Sequence, residues 1–222
     1  MPQLPFTDRI EAGRLLGEEL LGHKVPASGI VLALPRGGVP VGFEVAAALR
    51  VPLDVEVVRK LGVPWQPELA MGALAGGSVY VDRDLTRQLD ISEAQIDATV
   101  AREAAEAARR ERLYRDDRPA PELGGRTVVL VDDGLATGSS MLAAVHHVRS
   151  RGAARIVVAV PVSSVKAYRH MTLVAGECVC LATPAPFSAV GLWYRDFTQV
   201  TDSEVRDLLA RSEEPTESPS RN

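Results

Sequence analysis

The segment VVLVDDGLATGSS, at residues 128–140, constrains the fold more strongly than any other part of this sequence. Its four apolar residues predict a buried strand, and the small residues behind them predict a tight turn that leads into a helix. Two adjacent carboxylates, Asp132 and Asp133, follow the strand directly. Burial and mutual repulsion both disfavour ionised side chains at such a position, so we expect a ligand to compensate for that cost.

The residues after the acidic pair have the chemistry of a phosphate site. Gly134 and Gly138 permit a tight turn and a close approach of the backbone to a ligand. The predicted helix start offers amides, hydroxyls and the positive end of the helix dipole, from Thr137, Gly138, Ser139 and Ser140. Because ionised aspartates only accept hydrogen bonds, the pair suits vicinal sugar hydroxyls, and the segment predicts a ribose 5-phosphate site. In the alternative interpretation, the aspartates only cap the helix and the glycines only turn the chain.

Apolar strands alternate with helical segments along most of the chain. This pattern predicts an α/β fold with a central, mostly parallel sheet and helices on both faces. Ligands bind such sheets beyond the carboxyl ends of the strands, where we expect three turns, at 35–38, 59–60 and 132–140.

The organisation predicted around this sheet is one domain with two additions. We expect the domain at 1–211, its core at about 28–165, a small C-terminal hood at about 176–200 and a disordered tail at 212–222. A long inserted helix is expected at about 92–116, capped by Ser92 and Gln95, and it could serve as a lid or as a dimer contact.

A first helix is predicted to start near Asp8. Its apolar residues Ile10, Leu16 and Leu20 are expected to lie on one side and to face the core.

Composition argues against several classes of function. The formal net charge of −4 gives no support for nucleic-acid binding or for binding to an acidic membrane. Neither a spanning segment nor a secretory signal is apparent, so we expect a cytoplasmic protein. Cys178 and Cys180 have no second pair elsewhere, which argues against a zinc site and predicts reduced packing residues.

The segment VVLVDDGLATGSS resembles the phosphoribosyl-pyrophosphate-binding motif of the type I phosphoribosyltransferases. In that motif, four hydrophobic residues precede two acidic residues and a small-residue loop that ends in T-G-x-[ST]. The resemblance extends to the order of the elements over about 28–200. It implies that Asp132 and Asp133 hold the ribose 2′- and 3′-hydroxyls and that Gly134 and the residues from Ala136 to Ser140 bind the 5′-phosphate side of the ligand.

The turn LPRGGVP, at 34–40, resembles the pyrophosphate loop of the same family. The resemblance implies that Arg36 and the N–H groups of Gly37 and Gly38 face the diphosphate. Two glycines allow unusual backbone angles, and arginine offers two parallel donors to phosphate oxygens. Without the family context, an ordinary turn with a surface arginine is the alternative.

The segment VVRK, at 57–60, resembles the strand end at which the family carries a basic residue for the diphosphate. Lys60 is the first candidate and Arg59 the second, because neighbouring strand residues point to opposite faces. The Gly- and Pro-rich stretch that follows is expected to be a mobile loop or a hairpin. It contains Glu68, for which an acid/base role and plain exposure are both open.

The acceptor site is expected in TPAPFSAVGLWYRDFTQV, at 183–200. Phe187 and Trp193 could stack on a flat ring and Asp196 could meet a ring N–H, although core packing would explain the aromatic residues equally well. Family members that act on 6-oxopurines usually carry an aspartate at the position of Ala136. The alanine makes DDGLATG more similar to the adenine-type pattern and argues against hypoxanthine or guanine as the substrate.

The activity implied by the resemblance is transfer of a 5-phosphoribosyl group from phosphoribosyl pyrophosphate to a nitrogenous base, a purine or a related heterocycle, as in purine salvage. Asp132, Asp133, Lys60 and Arg36 would be catalytic. Mg²⁺ would be the cofactor, held by the two aspartates through the substrate and water. A homodimer is expected. The alternative is a non-catalytic regulator that senses phosphoribosyl pyrophosphate or a nucleotide; a phosphoesterase lacks the metal-binding residues it needs.

Overall fold

The chain alternates strands and helices in the predicted manner. The structure is a computed structural model that describes residues 2–116 and 118–213, apart from the side chain of Glu68. Two short 3₁₀ turns, Leu21–His23 and Val190–Trp193, accompany the main elements. In chain order these are α1 (Arg9–Leu20), β1 (Ile30–Ala33), α2 (Gly38–Leu49), β2 (Leu53–Val55), β3 (Val58–Val63), β4 (Gln66–Ala75), β5 (Ser78–Val81), α3 (Arg83–Gln88), α4 (Glu93–Arg115), β6 (Thr127–Val131), α5 (Ser139–Ser150), β7 (Arg155–Val162), α6 (Val165–Ala175), β8 (Cys178–Ala182) and α7 (Asp202–Glu213).

A five-stranded parallel sheet in the order β2–β1–β6–β7–β8 forms the centre, which confirms the predicted α/β class. Its central strands are apolar on both sides because both faces are covered. Val129 and Val131 of β6 pack with α1, α2 and α7, whereas Val128 and Leu130 pack with α5 and α6. This arrangement brings the ends of β1 and β6 side by side, since Ala33 pairs with Val131.

A separate three-stranded antiparallel sheet, β3–β4–β5, fills the Gly- and Pro-rich stretch, for which a hairpin was one of the two expectations. It changes the position predicted for one basic pair. Arg59 and Lys60 lie inside β3, not at the end of a parallel strand, because β2 already ends at Val55. The sheet contacts α4 and α5.

The long helix α4 begins and ends within a residue of its predicted bounds. Ser92 and Gln95 form the predicted capping box. Ile96 and Ala107 are buried in the core, and Val100 and Ala104 pack against it. The helix contacts β3, β4 and α7, so within the described chain it covers the antiparallel sheet.

The C-terminal segment departs from the prediction in its extent. β8, which falls inside the predicted hood at 176–200, is the edge strand of the parallel sheet, so 183–200 is the part outside the sheet. Helix α7 runs to Glu213, two residues into the predicted tail, and 214–222 lie outside the described residues. No helix in the described ranges is long and apolar enough to cross a membrane.

The two cysteines on β8 are free thiols that pack against the α5–α6 side of the sheet. Burial raises the pKa of Cys178 to about 12 and that of Cys180 to about 11, as expected for packing residues that stay protonated.

Candidate active site

The turn after β6 leads directly into α5, as the sequence predicts. Gly138 caps the helix with φ +81°, a left-handed conformation that glycine adopts without strain. The Thr137 and Ser139 hydroxyl oxygens lie 3.1 Å apart at the helix start. Ser164, which the sequence did not single out, holds this turn by donating from its hydroxyl to the Ala136 carbonyl at 2.8 Å.

A cavity of about 190 Å³ lies along this turn. It is smaller than the roughly 300–1,000 Å³ of sites for drug-sized ligands, so it suits a phosphate group rather than a whole nucleotide. Larger surface clefts, of about 520 and 550 Å³, lie elsewhere and contain none of the predicted site residues. The cavity is lined by Asp132, Gly134, Leu135, Ala136, Thr137, Gly138, Ser139, Ser140, Met141 and Val190.

The turn after β1 packs directly against the acidic pair. A Cβ atom on Gly37 would lie 2.0 Å from Asp133 Oδ2, and one on Gly38 would lie 2.8 Å from the Val131 carbonyl oxygen. The two glycines are therefore explained by close packing and not by the unusual backbone angles expected, since Gly37 has φ −61°. The Gly38 N–H donates to the Leu34 carbonyl at 3.0 Å, so this amide is engaged within the turn, and its predicted role at the diphosphate stays a prediction.

Each aspartate uses one carboxylate oxygen in a protein contact. Asp132 Oδ1 accepts from the Asp133 N–H at 2.8 Å, and Asp133 Oδ2 accepts from the Arg9 Nε at 2.9 Å, with Nη2 at 2.8 Å. No described residue donates to the second oxygen of either carboxylate. The pair therefore presents two acceptors, as binding of two neighbouring hydroxyls would require.

Burial makes ionisation of this pair costly. It raises the pKa of Asp132 well above its ordinary value of 3.8, and the neighbouring Asp133 raises it further. Burial also raises the pKa of Asp133, while the charge and hydrogen bonds of Arg9 act in the opposite direction. The two carboxyls thus differ, because only Asp133 has a counterion in direct contact.

Arg9 and Tyr194 are the site residues that sequence reasoning missed. Arg9, in the first turn of α1, also donates from Nη1 to the Thr198 carbonyl at 2.9 Å and lies 3.8 Å above the Phe197 ring. The Tyr194 hydroxyl donates to the Asp133 carbonyl at 2.6 Å. These partners are 61 to 189 residues apart in the chain, and no local pattern signals them.

The predicted diphosphate-binding side chains are not among those that line the cavity. Arg36 Nη1 is 3.9 Å from Asp202 Oδ1 at the start of α7. Lys60 is exposed on β3, opposite Ala73. Arg59 forms an ion pair with Glu103 of α4, with Nη2–Oε2 at 2.7 Å. The Glu68 side chain lies outside the described part of the chain.

The predicted acceptor-site residues lie in 183–200. Phe187 and Trp193 stack on each other with ring centroids 6.1 Å apart and pack against a small cluster around Phe6. Asp196 is exposed and accepts from the Thr198 N–H and hydroxyl, which lower its pKa. The packing alternative thus describes the contacts of the aromatic pair, and base binding by these three residues stays a prediction.

Comparison with known proteins identifies the family. The model of the phosphoribosyl transferase domain matches residues 65–180, more than half of the chain. This chain belongs to the phosphoribosyl transferase family. A Mycobacterium tuberculosis protein provisionally named a phosphoribosyl transferase, recorded in two strains, is 47% identical over 208 residues. The match covers 93% of this chain and 47% of that protein, so the chain spans about half the length of the curated relatives it matches.

A crystal structure from Thermus thermophilus is similar in both sequence and fold. It is 43% identical with a TM-score of 0.82, and the match covers 93% of this chain and 98% of that one. The phosphoribosyl transferase model includes the whole of 128–140. The central parallel sheet, with helices on both faces, is the α/β architecture that the sequence predicted.

Proposed function

We propose that this phosphoribosyl transferase moves the 5-phosphoribosyl group of phosphoribosyl pyrophosphate to a ring nitrogen of a purine or a related heterocycle and releases pyrophosphate. One observation carries the proposal: Asp132 and Asp133 each keep one carboxylate oxygen to which no described residue donates, and Asp132 also lines the small cavity at the start of α5. Vicinal hydroxyls and a phosphate fit these two features together. The family membership supports the reaction type.

In the proposed reaction, the C1′–O bond to the diphosphate breaks and the oxygen keeps the electron pair. The lone pair of the ring nitrogen forms the new C1′–N bond, and the proton of that nitrogen passes to solvent. Positive charge develops at C1′ as the diphosphate leaves. The charge of the acidic pair favours this state more than the ground state, which is the condition for catalysis.

The residues of the chain divide this task between the two ends of the substrate. We assign the 5′-phosphate to the amides and hydroxyls of Gly134 and 136–140. Arg36 and Lys60 would neutralise the departing diphosphate. Arg36 lies beside Asp202 at 3.9 Å, a contact it would exchange for phosphate oxygens.

Mg²⁺ suits this site only as an ion that arrives with the diphosphate. It takes oxygen ligands, usually one or two carboxylates together with substrate phosphates. The described residues contain no group of three metal-binding side chains, and Asp133 already faces Arg9. Asp132 and Asp133 could therefore reach the ion through the substrate and water, and the ion would supply positive charge to the leaving group.

The test is release of pyrophosphate from phosphoribosyl pyrophosphate with Mg²⁺ and a panel of bases, with the nucleotide product identified by mass spectrometry. We expect turnover with at least one purine-like base, and loss of it in Asp132→Asn. Saturable binding of phosphoribosyl pyrophosphate without turnover on any base would contradict the proposal and favour the regulator. Because Ala136 replaces an aspartate, we expect hypoxanthine and guanine to be poor acceptors.

A further inference from the structure

Arg9 is the residue outside the sequence motif that contacts a carboxylate of the acidic pair. Nε and Nη2 of its guanidinium both lie within 2.9 Å of Asp133 Oδ2, so both contacts go to the same carboxylate oxygen. The side chains of Arg9 and Asp133 are 10% and 14% exposed. An ion pair this well covered is screened weakly by salt, so it constrains the carboxylate strongly.

The surroundings of the guanidinium fix its own position. Nη1 donates to the Thr198 carbonyl at 2.9 Å, and Phe197 covers one face of the group at 3.8 Å. With three nitrogens and a π-face engaged, Arg9 has little freedom to rotate. Gly37 leaves the room that the pair needs, since a Cβ atom there would overlap Asp133 Oδ2.

We propose that Arg9 is a positioning residue for ribose binding: by occupying Oδ2 of Asp133 it fixes the orientation of this carboxylate and leaves Oδ1 as its acceptor for a ribose hydroxyl. The backbone orients Asp132 in a similar way. Its Oδ1 accepts from the Asp133 N–H, which leaves Oδ2 as the acceptor for the second ribose hydroxyl. The site then offers one oxygen per aspartate. The inference rests on the proposed function, since it assigns the ribose to this pair.

The test compares Arg9→Gln and Arg9→Lys with Arg14→Gln. Arg14 lies on the same helix and pairs with Glu44 through an exposed contact at 3.1 Å, which makes it a matched control. The probes are ribose 5-phosphate and inorganic phosphate, measured by titration calorimetry between pH 4 and pH 8. Only the first probe carries the hydroxyls that would bind the acidic pair.

We expect Arg9→Gln to weaken ribose 5-phosphate binding about tenfold or more, the size of one charge-assisted hydrogen bond, and to leave phosphate binding unchanged. We expect Arg9→Lys to fall between the wild type and Arg9→Gln. The pH below which ribose 5-phosphate binding is lost should rise in Arg9→Gln, because Arg9 counteracts part of the rise that burial causes in the pKa of Asp133. The ionisable groups packed around Asp133 are Asp132, Arg9 and Tyr194, and Arg14→Gln changes none of them.

Equal affinity and an equal pH profile in the wild type and both Arg9 variants would overturn the inference. So would an equal loss of affinity for both probes in a folded Arg9→Lys, which would indicate a general structural role. If Arg9→Gln does not fold, Arg9→Lys alone decides between these results. Failure of the proposed function is separable: a wild-type protein that binds ribose 5-phosphate but transfers nothing contradicts the reaction and leaves the role of Arg9 standing.

Discussion

Asp132 and Asp133 are neighbours with different environments, and that difference has consequences for stability. Asp133 has Arg9 as a counterion, whereas Asp132 faces another carboxylate with no cation in direct contact among the described residues. Ionised Asp132 therefore lowers the free energy of unfolding, and a bound ligand would offset this loss. Stability given up for binding is common at functional sites.

Asp132→Asn is expected to stabilise the protein at neutral pH while abolishing ribose binding. Because burial raises the pKa of Asp132, the folded protein binds its proton more tightly than the unfolded chain does. The free energy of unfolding of the wild type therefore falls as the pH rises above the ordinary value of 3.8. The asparagine side chain of the variant has no proton to lose, so the gain in melting temperature should be largest at pH 7–8 and should shrink towards pH 4.

Asp133→Asn is the matched control for that prediction. It leaves Arg9 buried without its counterion, so the melting temperature should fall at neutral pH. Calorimetric melting of both variants across this pH range checks the pair of expectations. A melting temperature of Asp132→Asn that lies below that of the wild type by the same amount at every pH would contradict this account. It would mean that ionised Asp132 does not destabilise the folded protein.

At the scale of elements, sequence patterns correctly predict the features that depend on residues close together in the chain. The capping box of α4 and the β6–turn–α5 unit are predicted correctly because each rests on residues a few positions apart. Helix α1 shows that the buried face of a helix is harder to predict, because it depends on the element against which the helix packs. Ile10, expected to face the core, is 44% exposed, and α1 instead approaches α2 through Gly13 and Gly17, where a Cβ atom would lie within 3 Å of α2.

The antiparallel sheet could not be derived from its sequence for a related reason. Its strands contain Gly and Pro, and their burial depends on α4 and α5, which come later in the chain. The place of Arg59 follows from Glu103, 44 residues away. From the sequence alone, Arg59 and Lys60 are two adjacent cations that can only be ranked as candidates to bind the diphosphate.

Arg59→Ala is expected to affect mainly the stability of the protein, and Lys60→Ala mainly its affinity for phosphoribosyl pyrophosphate. Removal of Arg59 leaves the carboxylate of Glu103, 12% exposed, without its closest cation and should lower the free energy of unfolding by about 1–3 kcal/mol. Its effect on phosphoribosyl pyrophosphate affinity should be small. Lys60→Ala should weaken that affinity by roughly tenfold, as expected for loss of one cation–phosphate contact.

Urea unfolding and ligand titration of the two variants check this contrast. A larger loss of affinity in Arg59→Ala than in Lys60→Ala would reverse our assignment. It would mean that Arg59 leaves Glu103 when the substrate binds.

At the scale of the whole molecule, a segment near the start of the chain and a segment just before α7 meet beside the acidic pair. The Phe6 N–H donates to the Trp193 carbonyl at 2.9 Å, and the Arg195 N–H donates back to the Phe6 carbonyl at 2.8 Å. Arg9 and Tyr194 extend this junction to Asp133. The core predicted at 28–165 leaves out both ends, because pairing between residues almost 190 positions apart has no local signature.

Tyr194→Phe tests whether this junction supports the site. The substitution removes only the hydroxyl that donates to the Asp133 carbonyl, so we expect a loss of about 1 kcal/mol in the free energy of unfolding and weaker ribose 5-phosphate binding. Tyr80→Phe is the control, because Tyr80 is 47% exposed and lies outside the junction. Equal stability and affinity in both variants would show that the junction does not support the acidic pair.

The most direct test of the account is a crystal structure with phosphoribosyl pyrophosphate and Mg²⁺ bound. We predict the ribose hydroxyls on Oδ2 of Asp132 and Oδ1 of Asp133, with the 5′-phosphate in the cavity at 134–140. Electron density for the ligand in one of the larger clefts, with the acidic pair left in contact with water alone, would contradict it.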